Sequence, residues 1–115
     1  MKSTVSLRNN REFQNVFKNG KSKANKYLVM YVVRNNQVGN RIGLSISKKV
    51  GNSVVRHHLA RLLRESYRLH EEVFSSGLDI VIVVRESAKK CNYHEIESAL
   101  LHLAKLHNIY PNNVE

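Results

Sequence analysis

The stretch Ser47-Lys48-Lys49-Val50-Gly51-Asn52-Ser53-Val54-Val55-Arg56-His57-His58-Leu59-Ala60-Arg61-Leu62-Leu63-Arg64-Glu65-Ser66-Tyr67-Arg68 decides how this chain is read. Two lysines and a Gly-Asn-Ser turn lead into a segment whose apolar residues recur at helical spacing. At about 100° per residue, Val55, Leu59, Leu62, Ser66 and Leu69 fall on one side, with Leu63 at its margin. His57, Arg61, Arg64 and Arg68 fall within roughly 60° of one another on the opposite side. Asn52 or Ser53 is the expected N-cap, because a short side-chain oxygen can accept from the unpaired amides of the first turn, and Gly51 lets the chain turn tightly just before it. A phosphate near that end would meet free amides and the positive end of the helix dipole. A solvated helix face ordinarily mixes signs to limit self-repulsion; this one does not, so it is expected to meet a polyanion.

The charge of the whole chain sharpens this expectation. Residues 1–68 hold 15 Lys and Arg against two acids, Glu12 and Glu65, a net of +13, whereas residues 69–115 hold 4 against 7, a net of −3, which together give the overall +10. Such an excess destabilises a compact state unless a polyanion offsets it. Nucleic acid fits better than a membrane surface, since the apolar face of the basic helix lacks Trp and Phe and is needed for the core. The chain of 115 residues has the length of one domain, residues 1–115. Cys91 is the only cysteine, which excludes a disulfide framework or thiolate cluster and fits a reducing cytoplasm. No apolar run reaches signal-peptide or membrane-span length.

Outward from the basic helix the pattern alternates. Asn9 and Glu12 have capping-box spacing and open a short helix that Gly20 closes, with Phe13, Val16 and Phe17 on one side. Tyr27 to Arg34 and Arg41 to Ser47 read as strands joined by a turn at Asn35 to Asn40, a hairpin. Asp79 to Val84 is a run that is apolar after its first residue and does not alternate, as expected of a central strand covered on both faces. Asn92 and Glu95 repeat the capping-box spacing and start a helix with Ile96, Leu100, Leu103 and Leu106 on one face. The fold class is α+β, with helices packed on a mixed sheet in the order αβ(β)βαβα.

The strand pair carries a second functional hint. Leu28, Met30 and Val32 alternate with Tyr27, Val29, Tyr31 and Val33, and Ile42, Leu44 and Ile46 alternate with Gly43, Ser45 and Ser47. One face is core. The other sets aromatic residues beside Gly and Ser, a shallow trough that Phe13 and Phe17 could also line, and single-stranded bases stack on such aromatics at about 1–3 kcal/mol each. The alternative that these aromatics are simply core stays open on periodicity alone.

Ser-Lys-Lys-x-Gly-Asn-Ser-Val-x-Arg at Ser47 to Arg56, followed by Arg61, Arg64 and Glu65, resembles the signature of the protein subunit of bacterial ribonuclease P. Arg11 to Gly20, with its Phe pair, is similar to that family's first helix. Ala24-Asn25-Lys26 is similar to the lead-in to its first long strand, and Gly43 to Ser47 to its second. The resemblance implies a single-domain α-β sandwich with a left-handed βαβ crossover, against the usual right-handed rule. It implies a protein that assists a catalytic RNA in the magnesium-dependent hydrolysis that removes the 5′ leader of precursor tRNA. Its partners would be that ribonuclease P RNA and precursor tRNA, with no obligate protein partner. The magnesium would be held mainly by the RNA, with no protein-bound cofactor. Lys48, Lys49, Asn52, Arg56, His57, Arg61, Arg64 and Arg68 would contact RNA, and Phe13, Phe17, Val29 and Tyr31 would form the leader-binding cleft.

The sequence departs from the family where Arg-Asn-Arg and a following Lys are usual: Arg56 is kept, but His57, His58 and Ala60 occupy the other places. A histidine there can still hydrogen-bond a phosphate, and it gains charge only toward about pH 6.5. A protein-only nuclease is disfavoured. His57 and His58 diverge by about 100° on a helix and cannot face one scissile bond, and His70, His94, His102 and His107 lack metal-ligand spacing. The alternative from another class is a non-enzymatic RNA-binding module, such as a ribosomal protein or an RNA chaperone.

Overall fold

The computed structural model describes residues 4–112. Its elements are β1 (Thr4–Ser6), α1 (Asn10–Asn19), β2 (Lys21–Ala24), β3 (Leu28–Arg34), β4 (Asn40–Ser45), α2 (Ser53–His70), β5 (Leu78–Val84) and α3 (Tyr93–Leu106). The strands form one mixed sheet in the order β1-β4-β5-β3-β2.

The central strand is β5, as its unbroken apolar run requires. Ile80, Ile82 and Val84 join the larger core beneath α2 and α3 with Leu28, Met30, Leu59, Leu63, Phe74 and Leu100. Val81 turns the other way, with Leu7 and Val16, toward α1. The sheet is therefore covered by two helices on one face and one on the other, an α-β sandwich.

The expected β3–β4 hairpin does not form. β5 lies between the two strands, antiparallel to β3 (Leu28↔Val84) and parallel to β4 (Ser45↔Val83). A strand apolar on both faces is best buried between two neighbours, and the connection from β3 to β4 is built to leave that gap. The Asn35 side chain accepts from the Gln37 amide and donates to the Gly39 carbonyl, Asn36 takes the left-handed conformation at φ 59°, and the Asn35 amide donates to the Gly77 carbonyl just before β5. β4 begins at Asn40 and ends at Ser45, short of Ser47. Two short edge strands, β1 and β2, complete the sheet; β1 is additional to the expected order, and β2 precedes β3 instead of standing between it and β4.

The helix starts follow the sequence. Asn9 and Asn92 each cap their helix in a full capping box, and Gly20 ends α1. Two apolar stripes are rotated from expectation. In α2, Leu63 is central, Ala60 and Tyr67 are buried, and Leu69 is 56% exposed. The cause is Tyr67, whose hydroxyl sits 3.1 Å from Thr4 Oγ1 and accepts from Asn40 Nδ2 at 3.1 Å, turning α2 toward the β1–β4 edge. In α3, Leu106 is 46% exposed, and His107 follows Leu103 inward, where Nε2 donates to the Met30 carbonyl at 2.9 Å.

Burial holds the His107 imidazole below its ordinary pKa, against the opposing hydrogen bond to Met30. The unfolded chain thus takes up a proton near pH 6.5 that the fold resists. Stability is full above that pH and falls as pH drops from about 6.5 toward the folded-state value. Urea unfolding of wild type is expected to show this loss, at most about 1.4 kcal/mol per pH unit from one group. His107→Gln, which keeps a donor but cannot titrate, should flatten it; an unchanged slope would remove His107 as the source.

Candidate nucleic-acid interface

The turn ahead of α2 is held by its own side chains. Asn52 Oδ1 accepts from the Val55 amide at 3.0 Å and is the N-cap. A Cβ on Gly51 would stand 2.7 Å from Val55 Cγ1, so glycine is needed there for close approach. Arg56 Nε donates back to the Gly51 carbonyl at 3.2 Å. Lys48 and Lys49 stand exposed in the turn, and His57, Arg61, Arg64 and Arg68 are exposed along α2.

These basic residues are not equivalent. Arg68 binds Glu65 through two bonds, Nε to Oε1 at 2.7 Å and Nη2 to Oε2 at 2.9 Å, and this pairing holds the Glu65 carboxyl below its usual range. Its charge is already paired with a carboxylate on the protein itself. The Asn52 oxygen is likewise engaged as a cap. The single stripe read from helical angles also divides around the helix. Arg56 and His57 line a hollow with Leu44 of β4 and Ile46 just after it, His58, Arg61 and Arg68 line a groove with Tyr93 of α3, and Arg64 borders both.

On the α1 face of the sheet the expected cleft residues come together. Phe17 meets Tyr31 edge-on at 4.9 Å between ring centroids, and Phe13 lies 6.5 Å from Phe17. Val29 shares the Tyr31 face of β3, opposite Val83. All four are half-buried, neither sealed in the core nor free. Two details of the expected trough change. Because β5 intervenes, Val81 and Val83 lie between the aromatic wall and β4. Tyr27 leaves the trough for the larger core, its hydroxyl 3.5 Å from Glu95 Oε2. Gly43 has a definite role: a Cβ there would stand 2.6 Å from Phe13 Cζ, so its absence lets the Phe13 ring lie on β4.

The two halves of the interface meet around the β1–β4 edge. A cavity of about 320 Å³ is lined by Leu7, Phe13, Gly43 and Leu44 together with Arg64 and Arg68 of α2 and one acid, Glu71. The aromatic end of the cleft thus opens onto two guanidinium groups.

Sequence reasoning missed the group that sets α1 on the sheet. Asp79, 1% exposed at the start of β5, accepts from Arg41 Nε at 2.9 Å, Arg41 Nη2 at 2.6 Å and Asn35 Nδ2 at 2.9 Å. Arg41 Nη1 also reaches Glu12 Oε2 at 2.7 Å. Glu12 in turn accepts from the Arg8 and Asn9 amides, and those bonds, with the Arg41 charge, hold its carboxyl below the ordinary range. The only sequence signal was an acid opening a run of otherwise apolar residues. Among the described residues no three His, Cys, Asp or Glu side chains are grouped to hold a metal ion, and no helix is long and apolar enough to cross a membrane.

A mixed sheet with a basic helix on one face and a half-open aromatic cleft on the other is the architecture of a polyanion-binding α+β protein. The ribonuclease P family model matches residues 1–107. The ribonuclease P protein component of Lachnoclostridium phytofermentans is 65% identical over 104 residues, 90% of each chain. That of Alkaliphilus metalliredigens is 50% identical over 105 residues, 91% of this chain and 95% of the relative. The solved Staphylococcus aureus RNase P protein superposes with a TM-score of 0.86 at 32% identity, covering 91% of this chain and 96% of that one. The Thermotoga maritima protein gives 0.80 at 29%, covering 96% and 97%. The chain belongs to the ribonuclease P protein family, and is thereby a protein component of ribonuclease P, in tRNA 5′ processing.

Proposed function

We propose that this chain binds the catalytic RNA of ribonuclease P and the 5′ leader of precursor tRNA, and assists an RNA-catalysed hydrolysis without supplying catalytic groups itself. The observation that carries the reading is the cavity around the β1–β4 edge, lined on one side by Phe13 and on the other by Arg64 and Arg68. A single strand needs stacking surfaces for its bases and cations for its backbone, and here they adjoin. Phe13, Phe17, Val29 and Tyr31 take the leader. Lys48, Lys49, Asn52, Arg56, His57, Arg61, Arg64 and Arg68 take RNA, with Asn52 and Arg56 acting largely by shaping the helix start, and Arg68 weakened by Glu65. Magnesium belongs to the RNA in this reading, in keeping with the lack, among the described residues, of any three His, Cys, Asp or Glu side chains grouped to hold an ion. The complex works in the cytoplasm without an obligate protein partner.

The test mixes the chain with precursor tRNA, with and without a bacterial ribonuclease P RNA at low magnesium. No cleavage is expected from protein alone, and clear stimulation with the RNA. Cleavage without RNA would overturn the assisting role. Absence of stimulation with a cognate RNA would leave a non-enzymatic RNA-binding module.

A further inference from the structure

We infer that the groove between α2 and α3 is a second nucleotide site, which takes an unstacked base and its phosphate from the RNA subunit; this rests on the function proposed above. The groove has a volume of about 440 Å³ and is lined by His58, Arg61, Leu62, Arg64, Arg68 and Tyr93, with Glu65 its one acid. Its size is within the range of about 300–1,000 Å³ typical of small-ligand sites. Three guanidinium groups against one carboxylate make it electropositive. Its rings are the Tyr93 phenol and the exposed His58 imidazole.

Tyr93 is set in place before any ligand arrives. It is the first residue of α3, directly after the Asn92 cap. Its hydroxyl donates to Glu97 Oε2 at 3.2 Å, and the same oxygen is 2.9 Å from His70 Nε2 on α2. His70 Nδ1 is in turn 3.2 Å from the Tyr110 hydroxyl. This chain of contacts fixes the ring relative to both helices, so little conformational freedom is lost when a base stacks on it. Leu62, half-buried, supplies an apolar contact, and Arg61 an exposed cation. An aromatic platform beside unpaired arginine is the combination that holds single-stranded nucleotides.

The groove lies on the opposite face of the sheet from Phe17, Val29 and Tyr31. The groove shares Arg64 and Arg68 with the cavity at the β1–β4 edge, but Tyr93, Arg61 and His58 belong to the groove and not to that cavity. The occupant of the groove is therefore assigned to the RNA subunit and not to the leader.

The experiment measures binding of the full chain to ribonuclease P RNA, and of the assembled holoenzyme to precursor and mature tRNA. Tyr93→Ala is expected to weaken assembly with the RNA subunit by roughly 5- to 150-fold, the range for loss of one stacked base. The preference of the holoenzyme for leader-bearing tRNA should stay unchanged. Tyr93→Phe keeps the ring and should assemble close to wild type. Tyr93→Leu keeps apolar bulk without a π face and should behave like alanine, which separates stacking from any loss of folding in the alanine variant. Wild-type assembly by folded Tyr93→Leu would overturn the site, as would a loss confined to leader preference. If wild type itself fails to bind the RNA subunit, the underlying function falls and the groove with it.

Discussion

Arg41→Ala is expected to destabilise the protein by roughly 3–5 kcal/mol, the usual consequence of leaving one member of a buried ion pair without its partner. The size follows from Asp79, 1% exposed, which would keep only Asn35 of its three bonds. Arg41→Lys should recover part of the loss, since an ammonium can replace the charge but not the fork that spans Asp79 and Glu12. Urea unfolding of the three proteins measures this directly. A loss below about 1 kcal/mol for alanine would mean that Asp79 is reached by water and that the network is peripheral. Because Glu12 also caps α1, the same variant should loosen the helix that carries Phe13 and Phe17.

Tyr31→Ala is the second large effect, and it acts on binding. Loss of one stacking ring should weaken binding of leader-bearing precursor tRNA by about 1–3 kcal/mol. Mature tRNA, which lacks the leader, should bind nearly as before. Arg64→Ala should weaken both and lower the salt slope by about one unit, as loss of a phosphate contact does. Tyr31 also packs edge-on against Phe17 at 4.9 Å, so part of the change will be in stability, and circular dichroism must first show that the variant is folded. Equal loss for leader-bearing and mature tRNA would return Phe13, Phe17, Val29 and Tyr31 to a purely structural role.

What could be read from the residues was what local physics decides. Capping boxes at Asn9 and Asn92 involve groups three residues apart, and both stand where their spacing put them. The apolar run of β5 marks a central strand whatever its neighbours. The pairing partners were not legible, because a turn such as Asn35 to Gly39 looks the same whether it closes a hairpin or spans an inserted strand. Helical angles placed Leu69 and Leu106 inward, but the rotation of each helix is set by distant polar contacts, Tyr67 to Asn40 and His107 to Met30. The cleft residues gather as expected, yet the valines beneath them depend on tertiary neighbours, whereas the Arg68–Glu65 pair, three residues apart on one helix, was open to local spacing. Asp79 was the hardest to read: a buried acid is intelligible only with its arginine, 38 residues away.

The position of β5 also bears on the order in which the molecule can be made. β3 and β4 each have their long partner in residues 78–84, so a ribosome that has released only the basic half has released two strands that cannot pair with each other. Such non-local pairing delays folding until the later segment emerges. The cationic surface therefore leaves the tunnel before the framework that shapes it, and polyanions can reach it while its groove is unformed. A release series of stalled chains would show protease resistance arising only once the valine-rich strand has cleared the exit.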